Sequence, residues 1–134
     1  MSTHEPSIQE DEVARRIVDA AITVHRSLGP GLLESVYEQC LAYELEENGL
    51  SVHRQVPMPV RYRNLRFDMG FRLDLVVQNL VIVELKAVEQ LVPLHDARLL
   101  TYLKLAERRL GLLMNFNVPP LKHGIKRLVR SVSL

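Results

Sequence analysis

Apolar residues recur at helical spacing through the first third of the chain and then switch to strict alternation. Val13, Ile17, Ala20, Ala21, Val24 and Leu28 fall three and four residues apart. They predict one buried face of a helix starting at Asp11, which must break at Leu28-Gly29-Pro30-Gly31. Leu33, Val36, Tyr37, Cys40, Leu41 and Leu45 predict the stripe of a second helix over about 32–47, stopped by Asn48-Gly49. Val52, Val56, Met58, Val60 and Tyr62 then share one face of a strand. Pro57 and Pro59 have the same parity, so their missing N–H donors point the same way, as suits an edge strand. Leu65, Phe67, Met69, Phe71, Leu73, Leu75 and Val77 alternate with polar residues and glycine, the clearest strand of the chain.

A turn near Gln78-Asn79 leads into a strand over 80–86. Pro93 suits the first turn of a third helix, with Leu99, Leu103, Ala106 and Leu110 as its core stripe and His95, Arg98 and Tyr102 on the adjacent face. Residues 111–117 read as a short strand, Pro119-Pro120 as a loop, and 125–132 as a final strand. The first three strands can form an antiparallel meander. The fourth arrives by a helical crossover, which predicts an α/β protein with a mixed sheet flanked by helices.

Size and composition narrow the class. At 134 residues, with 47% hydrophobic and 25% charged residues, the chain reads as one globular domain over 11–134, behind a disordered lead-in over 1–10. Its apolar runs are short and broken by charge, so no membrane span is expected. The polar, acidic start lacks the features of a secretion signal, and a cytoplasmic location is expected by default. The lone Cys40 excludes an internal disulfide. Net charge is only +1, yet basic residues gather in 61–66, 104–109 and 122–130, where they could hold a nucleic-acid backbone or form a solvated surface.

The candidate chemistry lies in Asp74 and in Glu84-Leu85-Lys86. Glu84 and Lys86 are two apart on a strand and point to one face, and an apolar run delivers them. Charges placed this way are costly to bury without a reason. Two carboxylates can bind Mg²⁺ or Mn²⁺ through hard oxygen ligands, and a lysine can stabilise an anionic transition state. The competing reading is an ion pair at a sheet rim. The two can be separated by parity. A two-residue turn would pair Val77 with Leu80 and put Asp74 and Glu84 on opposite faces. A three-residue loop or a bulge brings them together, and one of these is expected.

Asp74, a following apolar strand and Glu84-Leu85-Lys86 resemble the core of the PD-(D/E)XK nuclease superfamily. Gly31-Leu32-Leu33-Glu34-Ser35-Val36-Tyr37 resembles the signature of the GxxExxY protein family, a branch of it. The resemblance extends through residues 111–117 and covers most of 13–130. It implies a restriction-endonuclease-like core, α-β-β-β-α-β, with an extra N-terminal helix. It also implies that Glu34 joins Asp74 and Glu84 around a metal, although a glutamate in a helix's first turn is stabilised there whatever its role. Tyr37 would be half core and half rim, its hydroxyl steadying Glu34.

The third helix of the superfamily often carries a Gln and a Tyr in a Q-x-x-x-Y arrangement. Tyr102 matches the Tyr, but Arg98 stands at the Gln position. Arg98 either grips a phosphate or pairs with Asp74 or Glu84 and competes with the metal. Arg72 shares a face with Asp74 and either contacts phosphate, holds Glu34 or forms an ordinary cross-strand ion pair.

Two functions follow from the resemblance. The first is a Mg²⁺- or Mn²⁺-dependent nuclease with Glu34, Asp74, Glu84 and Lys86 as catalytic residues and Arg72, Arg98 and Tyr102 on the substrate. The alternative is a non-catalytic module that keeps the fold to bind nucleic acid or a protein partner. A homodimer is expected on the ground that so small a chain has little surface with which to enclose a duplex.

Overall fold

The computed structural model describes residues 5–131. Helix α1 (Ile8–Leu28) and helix α2 (Glu34–Glu47) precede strands β1 (Val52–Tyr62), β2 (Leu65–Val77) and β3 (Val81–Lys86). Helix α3 (Pro93–Leu105), strand β4 (Leu110–Asn115), a 3-10 turn at Leu121–Gly124 and strand β5 (Ile125–Val129) complete the order. The strands form one sheet in the order β1-β2-β3-β4-β5. All neighbours are antiparallel except β3 and β4, which run parallel through the α3 crossover. This is the α/β mixed sheet and restriction-endonuclease-like core that the hydrophobic pattern and the resemblance imply.

The two faces of the sheet carry different layers. Leu75, Val77, Val81, Val83, Leu85, Leu112 and Met114 pack against Val13, Ile17, Ala21 and Val24 of α1 and Tyr37, Leu41 and Leu45 of α2. Leu73, Val76, Ile82 and Leu113 pack against Leu99 and Leu103 of α3. Each fully buried aliphatic side chain contributes about 1.5–3 kcal/mol over its exposed state. Gly111 lets α3 approach, since a Cβ there would lie 3.2 Å from the Leu99 methyls and 3.3 Å from Leu103.

Several boundaries differ from expectation. α1 begins at Ile8, inside the segment expected to be disordered, because Ser7 and Glu10 form a reciprocal capping box with bonds of 3.0 and 2.7 Å. Residues 1–4 of that expected lead-in lie outside the described residues. Leu33 caps α2 and is exposed rather than part of its stripe. α3 stops at Leu105, so Leu110 starts β4 and does not extend the helical stripe; Glu107 in between adopts φ 54°. β5 ends at Val129, and Val132 lies outside the described residues. β1 is an edge strand, as the prolines require.

Candidate functional site

The β2–β3 hairpin pairs Val77 with Val81, Val76 with Ile82 and Leu75 with Val83. Gln78, Asn79 and Leu80 form the three-residue connection, with Gln78 and Asn79 both at positive φ. The register therefore sets Asp74 opposite Glu84, the arrangement expected from the parity of the charges.

At that point the ladder opens. The Asp74 N–H donates to Glu84 Oε2 at 2.8 Å, and the Leu85 N–H donates to Asp74 Oδ2 at 2.9 Å. Each carboxylate thus satisfies a main-chain donor on the opposite strand where strand-to-strand bonding has ceased. The β1 side is interrupted as well. Arg54 pairs with Leu75 and Val56 with Leu73, but the intervening Gln55–Asp74 pair is absent and Gln55 has φ 51°. The alternation of β2 slips at the same place: Leu73 and Val76, three apart, both face α3.

Burial pushes the Glu84 carboxyl up to about 8, and the Asp74 charge beside it adds to the effect. Burial also raises Asp74, opposed by the Leu85 N–H and reinforced by the charge of Glu38. Lys86 lowers both, so its ammonium lies close enough to favour their ionised forms. The second oxygens, Asp74 Oδ1 and Glu84 Oε1, take no hydrogen bond from any described residue. Neither is a fully buried atom lacking a partner, so each keeps some contact with solvent.

Glu34 opens α2 and reaches the end of β3, where its Oε2 accepts from the Ala87 N–H at 3.1 Å. Its entry into the helix is held by Tyr37, which corrects the expected role of that residue. Tyr37 is fully buried and stacked on Phe116 at 4.5 Å. Its hydroxyl donates to Gly29 O at 2.5 Å and accepts from the Leu32 N–H at 3.1 Å, with no bond to Glu34. Gly31, at φ 97°, donates to Asn117 Oδ1 at 2.9 Å. The Gly31–Glu34–Tyr37 spacing is therefore a loop clasp that delivers Glu34 to the sheet end.

From the opposite layer, Tyr102 stacks on Phe71 at 4.7 Å. Burial and the charge of Glu84 raise its phenol and the charge of Arg98 lowers it, so Tyr102 lies within reach of Glu84 and beside Arg98. Arg98 is exposed and forms no ion pair with Asp74 or Glu84 among the described residues. Arg72 is likewise exposed, two positions before Asp74. His95 is occupied otherwise: its Nδ1 accepts from the Val92 N–H at the start of α3.

Two residues escaped the sequence reading. Glu38, one helical turn beyond Glu34, is buried and bonds Arg54 at 3.1 Å and Gln55 at 2.5 Å. Its i+4 relation to Glu34 was the available signal. Asn115, at the end of β4, bonds both Val88 N–H and Val88 O, at 3.1 and 2.9 Å, and accepts from the Asn117 N–H. It pins the chain just after Lys86. A buried asparagine closing an apolar run was the hint.

The donor set suits a hard divalent cation, since two carboxylates have one oxygen anchored and the other free. Among the described residues, no group of three His, Cys, Asp or Glu side chains stands ready to hold a metal. Glu34 bonds the main chain through Oε2, and its charge reaches Asp74 and helps to raise it.

Comparison with known proteins bears on the family and the fold. The sequence profile described as the PD-(D/E)XK nuclease superfamily matches residues 11–128. No curated protein matches the chain. The crystal structure of SSO0001 superposes with a TM-score of 0.51 at 17% identity, covering 94% of this chain and 63% of that one. The chain thus spans less than two thirds of that protein, and the likeness is one of fold. No described helix is long and apolar enough to cross a membrane.

Proposed function

The chain belongs to the PD-(D/E)XK nuclease superfamily, and from that premise we propose that it is a metal-dependent phosphodiester hydrolase acting on nucleic acid. We assign it to the GxxExxY branch on the match of Gly31, Glu34 and Tyr37. The observation that carries the reading is the Asp74–Glu84 pair, with one oxygen of each tied to the main chain and the other free. A β-hairpin needing only stability would place apolar residues at these positions, because a pair of buried like charges is costly.

Asp74 and Glu84 would hold Mg²⁺ or Mn²⁺, with Glu34 assisting. The cation would supply charge to neutralise the phosphate and to acidify the attacking water. Its positive charge would also offset the repulsion that raises both carboxyls. Lys86, held at the strand end by its register with Asn115, orients the attacking water and stabilises charge on the phosphoryl oxygens. Tyr102 is close enough to Glu84 to feel its charge, Arg98 stands beside Tyr102 on α3, and Arg72 lies two residues before Asp74 on β2. They would bind the substrate backbone, with the Arg98 guanidinium suited to a bidentate phosphate contact.

The test is cleavage of end-labelled DNA and RNA, single- and double-stranded, with Mg²⁺, Mn²⁺ or chelator. The reading requires metal-dependent cleavage that Glu84→Gln abolishes. Cleavage that persists in that variant would remove the site assignment.

A second reading, a non-catalytic binding module, is favoured by one observation: Glu34 is engaged with the Ala87 N–H and does not complete a three-carboxylate group. Calorimetry with Mn²⁺ separates the two. Binding lost in Glu84→Gln supports the hydrolase, whereas no heat of binding in the parent supports the module.

A further inference from the structure

The β1–β2 hairpin outruns the sheet. β3 pairs only with Leu75–Val77 of β2, so the part of the hairpin ending at Tyr62 and Leu65 is a two-stranded arm. The register changes between Met58 and Val60, where β2 carries extra residues, and such a bulge bends the ribbon. Gly70 is required there, because a Cβ would lie 2.2 Å from the Val60 methyl.

The arm is two-faced. Val60 pairs with Phe67 and Tyr62 with Leu65, which puts these four on one side. Tyr62, Leu65 and Phe67 are each more than half exposed, as is Met69. Arg61 and Arg66 pair directly on the other side. Like charges opposite one another destabilise a ribbon, and a lone two-stranded ribbon is already marginal. The one nearby carboxylate, Asp68, bonds Arg66 at 3.2 Å but is 94% exposed, so it offsets little. Arg61 and Arg63 have no carboxylate partner among the described residues, and the Arg63 guanidinium lies over the Tyr62 ring at 5.3 Å.

Elsewhere Arg127 bonds Asp11 and Lys126 bonds Asp96, while Arg108, Arg109 and Arg130 are tied to main-chain carbonyls and stand beside no exposed aromatic ring among the described residues. Unneutralised arginines combined with exposed aromatic rings fit a polymer offering both phosphates and flat apolar faces. A second copy of this chain would instead bring the same arginines together.

We propose that this arm is a nucleic-acid grip, with Arg61, Arg63 and Arg66 on the backbone and Tyr62 and Phe67 against bases or sugars. In naming the polymer that the carboxylate site would cleave, the proposal rests on the nuclease reading. Arg66 and Asp74 are eight residues apart on one strand, at most about 26 Å. That distance spans about eight nucleotide steps along a duplex. A duplex of about eight base pairs is therefore long enough to touch arm and carboxylates at once.

The experiment measures fluorescence anisotropy with labelled DNA duplexes of about 8 and about 24 base pairs, in chelator, across a salt series. It uses the parent and the doubly substituted Arg61→Gln/Arg66→Gln protein, both checked for folding by circular dichroism. The variant should lose about tenfold or more on both duplexes, with a log–log salt slope smaller by about two. No binding by the parent, or unchanged affinity and slope in the variant, would each overturn the proposal. So would a Tyr62→Ser/Phe67→Ser protein that changes from dimer to monomer in sedimentation while binding DNA as before. Arm-dependent binding without cleavage would remove the hydrolase reading and leave the arm intact.

Discussion

The Asp74 main-chain N–H bonds the Glu84 carboxylate at 2.8 Å, across the point where β2 and β3 stop sharing a ladder. Glu84 thereby has two separable tasks, accepting a main-chain hydrogen bond and carrying a charge. Glu84→Gln keeps an acceptor for the first and removes the second. The variant should fold, match or exceed the parent's thermal stability at pH 8 in chelator, and bind Mn²⁺ at least about tenfold more weakly. Differential scanning calorimetry and Mn²⁺ titration check both halves.

Acidity should act in an unusual direction for a carboxylate. The folded state raises Glu84 from 4.5 to about 8 and raises Asp74 as well, so between those values the folded protein binds protons that the unfolded chain has released. The contribution of the pair to metal-free stability is present below about pH 4.5 and falls as pH rises towards 8. Urea unfolding in chelator should show the parent losing stability relative to Glu84→Gln over that window. Saturating Mn²⁺ should reverse the trend, because binding favours the ionised pair.

The clasp made by Tyr37 predicts a stability effect away from the carboxylates. Tyr37→Phe retains the stacking on Phe116 but leaves Gly29 O and the Leu32 N–H without their hydroxyl partner. A loss of about 1–2 kcal/mol in urea unfolding is expected, with Mn²⁺ affinity changed little.

Asn115 should couple stability to catalysis. Asn115→Ala removes the side chain that bonds Val88 N–H, Val88 O and the Asn117 N–H in a buried setting. Destabilisation of about 2–3 kcal/mol should follow. Because the chain after Lys86 is released, kcat should fall more than KM rises, which steady-state kinetics would read.

Much of this arrangement was legible in the residues. Pro57 and Pro59 marked the edge strand, and the even numbering of Asp74, Glu84 and Lys86 demanded an odd hairpin loop, which the structure contains. What escaped depends on partners distant in sequence. Glu38 looked like an ordinary helical glutamate until Arg54 and Gln55 folded over it. Tyr37 seemed to belong with Glu34 by helical spacing, but its hydroxyl turns back to the preceding loop. Ser7 and Glu10 were legible as a capping box, and the polar composition around them pointed towards disorder.

The central claim, that the carboxylate pair and Lys86 form a hydrolytic centre, is tested most directly by comparing Mn²⁺-dependent cleavage in the parent and in Lys86→Ala. The account expects both proteins to bind Mn²⁺ with similar affinity, and the variant to lose roughly 10²-fold or more in kcat. Cleavage undiminished in Lys86→Ala, or absent from the Mn²⁺-loaded parent, would contradict it.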